Sequence, residues 1–307
     1  MSRQKHRLMI LAVTLTVLLT SWTGGTVAAA PPSIVGWPSD FPAWAYQFNP
    51  ASPNACAAGR PSCVKQTIKT MNVRFNPLAS SCHHNAVFSL AYLRTTQEYA
   101  RFAAETPSHF DDVAWVNHED AVFAQFYFHA YDRWAAGRRS EVPPAWLIAF
   151  DAARDRKVSA AGDLLLGMSA HVNRDLPFAL AGLGLVAPNG QSRRHDHFVI
   201  NDMLQRVVQP LMAEEARRFD PTIDDANDPL GITYTSLFQV LKGWRANAWE
   251  NAQRLAAAPT PADKAVVAQA IEAEAAATAQ SLVASFSYAP PATTTDARDA
   301  YCASQGG

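Results

Sequence analysis

The helical spacing of apolar residues from Ser81 to about residue 287 constrains the fold of this chain more than any other feature. Apolar side chains recur every three to four positions, which predicts helices with one buried face. Alternating runs of Val, Ile and Thr are almost absent, and no hairpin dipeptide stands between two strand-like runs. The sequence therefore predicts one all-α domain, a bundle of about seven helices over residues 81–288.

Capping residues and prolines place the helix ends. Ser81 precedes a helix over 82–104, and Asp111 or Asp112 is placed to cap a helix that ends at Gly137. Pro143 and Pro144 start the next helix, since Pro is favoured in a first turn. Five further helices follow, predicted over residues 160–174, 176–184, 196–219, 232–257 and 262–287.

The segments that flank the helical region differ from it in composition. Residues 31–80 are rich in Pro, Asn and Ser and have no sustained period, which indicates an extended arm packed on the body. Its apolar anchors are expected to be Trp37, Phe41, Trp44 and Phe48. Residues 289–307 begin with a Pro-rich and Thr-rich stretch, which is typical of a linker or tail.

The first 30 residues have the pattern of a secretory signal peptide. A basic start is followed by an apolar run from Leu8 to Leu19 and by small residues that end at Ala30. The apolar run is shorter than the roughly 20 residues of a membrane span, although a retained anchor stays an alternative. No later stretch is apolar for long enough to span a bilayer. The pattern therefore predicts a secreted protein with residues 1–30 removed.

Four cysteines follow the predicted signal peptide, and an even number in an exported chain indicates disulfides. Three pairings are possible, and the sequence alone does not choose among them. We favour Cys56 with Cys63, because only a short loop containing Gly and Pro separates them. Cys82 would then pair with Cys302 and tether the tail to the body. No pair has the short spacing of a structural zinc site.

Composition excludes two classes of protein. Hydrophobic residues make up 49% of the chain and charged residues 17%, which excludes a disordered chain. Lys and Arg number 26 against 27 Asp and Glu, giving a formal net charge of -1. Nucleic acid held by bulk charge is therefore not expected.

The predicted second helix, from Asp111 to Gly137, is apolar around most of its circumference, so it is expected to be buried. At about 100° per residue, four polar residues share one stripe within about 60°: His118, Gln125, His129 and Asp132. Two interpretations stay open. The stripe is a hydrogen-bonded core network, or His129 and Asp132 line a functional cavity.

His171 and Asp175 are four positions apart, so on a helix they share a face about 6 Å apart. An imidazole and a carboxylate at that spacing can bind one divalent cation, and Arg174 between them can hold an anionic group. The alternative is that Asp175 caps a helix starting at Leu176, with Pro177 in its first turn.

A second polar cluster follows at residues 193–202. His197 and Asn201 share a helical face, and Asp196 is placed to cap the helix that follows. Two His and two Asp within eight residues favour a metal site shared with His171 and Asp175. The alternative is a solvated helix start.

These motifs resemble a known bacterial family. The stretch from His171 to Pro177, the residues from Asp196 to Asn201 and the aromatic helix around His129 resemble a domain of unknown function numbered 5995. The resemblance covers most of residues 80–260 and implies a helical domain.

A remoter resemblance is to the zinc-dependent phospholipase C and S1/P1 nuclease superfamily, whose members are exported, all-α and bind metals between helices. Its His-x3-Asp helix is similar to His171, Asp175 and the Leu176-Pro177 that follow. Its N-terminal Trp ligand has no counterpart after Ala30, and Ala181 stands where that family has a His.

The sequence leads to two functional hypotheses. The first is a secreted metal-dependent hydrolase, most plausibly a phosphoesterase or phospholipase-like enzyme acting on a small-molecule or lipid-like substrate. Its cofactor would be a divalent metal, with zinc favoured, bound by His171, Asp175, His197 and His129. Its catalytic groups would be Asp196 or Asp132 as base or orienting residue, and Arg174 stabilising charge.

The second hypothesis is a non-catalytic secreted helical protein that binds a small apolar ligand or a cell-surface partner. The histidines would then form a structural network. The aromatic residues of the second helix would line the pocket: Phe123, Phe126, Tyr127 and Phe128.

Overall fold

The computed structural model describes residues 34–106, 108–224, 234–291 and 293–306. Helices account for all the regular secondary structure in these ranges, apart from two isolated bridges, Val158 with Ser287 and Val186 with Ser192. The predicted all-α fold is therefore confirmed. The predicted signal peptide, residues 1–30, lies outside the described residues.

The helices follow one another along the chain. They are α1 (Pro61–Ser80), α2 (Ala86–Phe102), α3 (Val113–Ala135), α4 (Pro144–Arg154), α5 (Ala160–Ser169), a π-helical segment (Ala170–Asp175), α6 (Leu176–Leu183), α7 (Arg194–Arg218), α8 (Tyr234–Ala257), α9 (Pro261–Phe286) and α10 (Asp296–Gln305). The described ranges also contain three 3-10 turns: Ala43–Tyr46 before α1, Arg139–Glu141 between α3 and α4, and Pro221–Asp224 after α7.

Local sequence accounts for several helix starts. The Asp112 carboxylate accepts the Trp115 backbone N–H at 3.0 Å, so the predicted cap of α3 is confirmed. Ser159 and Thr260 cap α5 and α9 in the same way. The predicted start at Ser81 is wrong. The chain makes a turn there, with Cys82 in the left-handed region at φ 51°, and α2 begins four residues later at Ala86.

The arm predicted over residues 31–80 is extended only in part. Residues 34–60 are irregular apart from one turn, and the Trp37 and Phe41 rings are buried against Phe126 as expected of anchors. Residues 61–80 instead form α1. Pro61 starts that helix, and its apolar residues follow a spacing of three and four: Val64, Ile68, Met71, Phe75 and Leu78. Pro77 and the polar residues between them hide this period.

Both favoured disulfides are present. Cys56 pairs with Cys63, and Cys82 pairs with Cys302, with Cα–Cα distances of 4.9 Å and 5.9 Å. The second bond joins the α1–α2 connection to α10, a helix in the segment that was predicted to be an irregular tail. The tail is therefore tethered as predicted, but it is helical where it meets the body.

α5, the π-helical segment and α6 run as one continuous helical stretch, although Pro177 predicted a break before α6. Pro177 has no N–H, and in a regular α-helix its ring would clash with the carbonyl of residue 173. The wider π turn at residues 170–175 gives the ring room, so the chain passes the proline without ending the helix.

The packing of α2, α3, α5, α7 and α8 places one continuous hydrophobic core at the centre of the bundle. Trp115 and Trp146 are completely buried in it. In the described ranges, none of the helices combines the length and the apolar character that a membrane crossing requires.

Candidate functional site

A cavity of about 150 Å³ lies inside this core, between α2, α3, the α5–π–α6 stretch, α7 and α8. Most of its lining side chains are apolar, and α7 contributes only apolar ones. Representative lining residues are Leu164, Met168, Met203, Val207, Leu211 and Phe238. A concave apolar space with a few polar groups at one place is the usual form of a small-molecule site.

His171, in the π-helical segment, lines this cavity with a fixed orientation. Its Nδ1 lies 2.9 Å from Oδ2 of Asp175, and that oxygen also accepts the Trp146 indole N–H at 2.8 Å. The imidazole stacks on the Phe123 ring with 3.5 Å between centroids. Asp175 is fully buried and acts as a carboxylate acceptor, so Nδ1 carries the proton.

The other nitrogen of the same ring, His171 Nε2, is buried and has no hydrogen-bond partner among the described residues. Because Nδ1 is protonated, Nε2 is a lone-pair acceptor. Burial lowers the pKa of His171, and the Asp175 carboxylate opposes that shift. The ring is therefore neutral at pH 7 and presents a base at the cavity.

α3 contributes two adjacent carboxyl groups to the cavity wall, those of Glu119 and Asp120. Burial, reinforced by the neighbouring Glu119, raises the pKa of Asp120 to about 8. Burial raises the pKa of Glu119 to about 7, although Arg245 opposes it. Oδ2 of Asp120 has no partner in the part of the chain that the structure describes. At neutral pH Asp120 is therefore mostly a carboxylic acid that can donate a hydrogen bond.

Two tyrosines of α2 complete the polar end. The Tyr99 hydroxyl donates to Oδ1 of Asn117 at 2.7 Å, so it is satisfied. The Tyr92 hydroxyl is buried and, within the described ranges, has no partner. Burial raises the pKa of Tyr92 well above its ordinary value, so it stays a neutral phenol. The Tyr92 ring contacts the His171 ring edge-on, with centroids 4.5 Å apart.

Arg245 of α8 also borders the cavity, but its hydrogen bonds lie with α7. Its Nε donates to Oδ1 of Asn201 at 3.0 Å, and Nη2 donates to the His197 carbonyl at 2.5 Å. Burial lowers its pKa to about 10, so it stays charged at pH 7. Its charge opposes the upward pKa shift of Glu119.

The structure does not bring the four predicted metal ligands together. His171 and Asp175 are neighbours, but both Asp175 oxygens already accept hydrogen bonds, from His171 and Trp146 on one side and from Arg174 on the other. His197 Nε2 lies 3.0 Å from the Arg245 carbonyl. His129 lies beside the N-terminal segment, 3.0 Å from Asp40. These residues, as arranged, do not fit one shared cation.

The predicted catalytic groups also have structural partners. Arg174 binds Glu272 at 2.7 Å and faces away from the cavity. Asp132 is exposed and pairs with Arg74 at 2.6 Å. Asp196 accepts the backbone N–H groups of Asp111 and Asp112 at 2.7 Å and 3.1 Å, which ties α7 to the start of α3. Since α7 begins at Arg194, Asp196 lies inside the helix, and its predicted role as the cap of α7 is wrong.

One other group in the described ranges has the spacing of metal ligands: Asp111, His195 and Asp196. Asp111 and His195 are exposed, and Asp196 is already engaged by the two backbone donors. Exposed acidic groups of this kind are common without a cation. This cluster lies at the surface and does not line the cavity described above.

Sequence reasoning missed the groups that do converge, Tyr92, Glu119 and Asp120. The polar stripe that it emphasised does not form one network: His118 Nδ1 bonds the Cys56 carbonyl at 2.8 Å, whereas His129 lies beside Asp40 and Asp132 pairs with Arg74 at the surface. A usable signal was present. Glu119 and Asp120 are adjacent acids in the middle of a helix that is otherwise predicted to be buried, where unpaired charge is costly.

The site and the fold thus define a helical protein with an apolar cavity and a small polar end. Residues 64–285 match the profile of a family described as a family of unknown function, DUF5995, and the chain belongs to that family. The resemblance seen in the sequence is confirmed. The remoter resemblance to zinc-dependent phospholipase C and S1/P1 nucleases gains no support from the comparisons. No curated protein and no solved structure matches the chain.

Proposed function

We propose that this protein binds a small, mostly apolar molecule in the cavity between α2, α3, the α5–π–α6 stretch, α7 and α8. The observation that carries the proposal is the cavity itself, which is lined by apolar side chains from five parts of the bundle. An apolar molecule in this space makes dispersion contacts with the lining side chains, so its binding stabilises the fold. The second hypothesis from the sequence had this form, with a different lining.

The lining corrects that hypothesis in detail. Of the four aromatic residues that it named, Phe123 lines the cavity. Phe126 packs against Trp37 and Phe41, and Tyr127 packs against Trp146. Phe128 packs under the Arg74 guanidinium. The ligand therefore meets one ring of α3 and mainly aliphatic and Met side chains of α7.

The size of the cavity limits the ligand. A dry apolar cavity of roughly 150 Å³ accepts a benzene-sized molecule. The ligand is therefore one ring or a short branched chain rather than a long acyl chain. We also propose that the protein acts outside the cell. The two disulfides support this location, because such bonds persist in oxidising compartments.

Toluene tests the binding proposal, because it is apolar and has one ring. Saturation-transfer NMR should detect bound toluene, and the Tm should rise by about 3 °C with saturating toluene. Thr95→Phe fills the cavity from α2 and should abolish both effects. Val73→Phe introduces the same side chain on the exposed face of α1, where the native residue is 65% exposed, and should leave binding unchanged. Equal toluene binding by both variants, or none by the wild type, contradicts the proposal.

The metal-dependent hydrolase stays a prediction. Its separate measurement is the metal content of protein purified without an affinity tag, since a catalytic site needs about one metal ion per chain. Stoichiometric zinc retained through dialysis and lost in His171→Gln would revive it. Because His129 and His197 each lie 3.0 Å from a partner of their own, we expect no bound zinc that depends on His171.

A further inference from the structure

We propose that the polar end of the cavity transfers a proton at a carbon atom next to a carbonyl group of the bound molecule. His171 is the base, and the hydroxyl groups of Tyr92 and Asp120 hold the carbonyl oxygen. This inference rests on the proposed function, because it requires a ligand in the cavity. The substrate class is a small apolar ketone whose double bond is not yet conjugated with its carbonyl group.

His171 has the hydrogen-bonding arrangement of a catalytic imidazole. One ring nitrogen is hydrogen-bonded to a buried carboxylate, and the other is buried in the cavity wall with no partner among the described residues. Asp175 holds the tautomer, and the Trp146 indole N–H donates to the same Asp175 oxygen and fixes it. The Phe123 ring fixes the imidazole plane. Asp175 and Trp146 are positioning residues, since neither lines the cavity.

The backbone at this position is itself unusual. Single π-helical turns inside longer helices are rare and occur often at functional sites. Here the π segment covers residues 170–175 and therefore carries both the base and the residue that orients it. The π turn makes room for the Pro177 ring, and it also places His171 in the cavity wall.

The two donors share one feature, a hydroxyl group without a partner in the described residues. They are Tyr92, which is 7% exposed, and Asp120, whose Oδ2 is buried. Asp120 donates because burial and Glu119 keep it protonated at neutral pH. A phenol and a carboxylic acid inside an apolar cavity can together stabilise a developing oxyanion.

These groups select the substrate class. Two hydrogen-bond donors bind an acceptor on the ligand, such as a carbonyl oxygen. A neutral base accepts a proton, so the ligand must carry a proton that can be removed. The lining contains no Ser, Cys or Lys in the described ranges, so it offers no nucleophile of those kinds for a covalent intermediate. The Arg245 guanidinium is held by Asn201 and the His197 carbonyl rather than directed at the ligand.

The step balances without a further reactant. The C–H bond next to the carbonyl breaks, its proton goes to His171 Nε2, and its electron pair moves onto the carbonyl oxygen. That enolate oxygen accepts hydrogen bonds from Tyr92 and Asp120. The imidazolium then returns the proton to the far carbon of the former double bond, and the double bond moves into conjugation.

Cyclohex-3-enone is the test substrate, because it has one six-membered ring and its conversion to cyclohex-2-enone is followed by ultraviolet absorption. The wild type should catalyse the conversion. His171→Gln should lower the rate by about 100-fold or more, as expected for a lost general base. Tyr92→Phe should lower it by about 100-fold, as expected for a lost oxyanion donor. His129→Gln, outside the cavity, is the matched control and should leave the rate unchanged.

The pH profile distinguishes a catalytic role from a structural one. The titratable and charged groups that line the cavity together with Asp120 are Glu119 beside it, Tyr92 and Tyr99 from α2, His171 from the π segment and Arg245 from α8. The rate should fall in acid as His171 is protonated, and in alkali as Asp120 ionises. Asp120→Asn keeps a donor that does not ionise, so it should remove the alkaline fall associated with Asp120.

Toluene binding separates the two proposals. Wild-type protein that binds toluene but does not isomerise cyclohex-3-enone overturns the catalytic inference and leaves the binding function standing. Protein that binds neither compound overturns both. Equal isomerisation rates for wild type and His171→Gln also overturn the inference, because they remove the base from the reaction.

Discussion

Two buried histidine–carboxylate groups in this protein differ in what surrounds the second ring nitrogen. His84 uses both nitrogens: Nδ1 lies 2.8 Å from Arg298, and Nε2 lies 2.9 Å from Asp299. His171 uses only Nδ1, and its Nε2 remains without a partner among the described residues. The first group fastens α10 to the body, and the second borders a cavity. The hydrogen-bond partners of the ring nitrogens, rather than the residue type, therefore distinguish a structural histidine from a candidate base.

The largest expected effect lies in the His84 group. Arg298 donates to Asp163 at 2.6 Å, and both side chains are buried. Arg298→Ala leaves the Asp163 carboxylate buried without its cation, so the free energy of unfolding should fall by about 3–5 kcal/mol. Urea denaturation measures it. A loss below about 1 kcal/mol would show that the network does not fasten the tail.

Ligand binding by Arg298→Ala shows whether the His84 group and the cavity are independent. α10 contributes no side chain to the cavity in the described ranges. Arg298→Ala protein that is still folded should therefore bind toluene as the wild type does. A large loss of affinity in folded protein would mean that the two groups are not independent.

A smaller effect concerns pH and the acids of the cavity. The pKa of folded Asp120 is raised to about 8, above its unfolded value. Its contribution to stability is therefore complete below pH 4 and is lost as the pH rises to about 8. Each such group gives a slope of at most about 1.4 kcal/mol per pH unit. Asp120→Asn should flatten the decline between pH 5 and pH 8 in chemical denaturation. An unchanged slope would show that the cavity does not raise the pKa of the Asp120 carboxyl group.

The smallest effect is expected for the Tyr92 hydroxyl. Removing a buried hydroxyl without a partner costs little, so Tyr92→Phe should change the free energy of unfolding by less than about 0.5 kcal/mol. The same variant should still lose about 100-fold in isomerisation rate. A stability loss above about 1.5 kcal/mol would indicate a structural partner and would remove the contrast with Arg298.

Helical periodicity predicted most of this fold. The starts of α3, α5, α8 and α9 lie within two residues of their predicted positions, because strong caps or apolar periods mark them. α1 was missed because Pro, Asn and Ser between its apolar residues resemble a loop. α10 was missed because a short polar helix has little apolar period and depends on the Cys82–Cys302 bond and the His84 group.

The candidate site was predictable only in part. The His171–Asp175 spacing correctly placed both groups on one face, but the carboxylate orients the imidazole instead of joining it at a metal. Tyr92, Glu119 and Asp120 come from two other helices, and only tertiary packing brings them to His171. The break expected at Pro177 concealed the π segment, which no local propensity indicates.

A crystal structure with bound cyclohex-2-enone is the decisive experiment for the proposed proton transfer in the cavity. We expect one ring in the cavity, with its carbonyl oxygen within hydrogen-bond distance of the Tyr92 hydroxyl and of Asp120. A carbon next to the carbonyl, or the far carbon of the double bond, should face His171 Nε2. A ligand bound only at the surface, or in the cavity with its oxygen turned towards the α7 side chains, would contradict it.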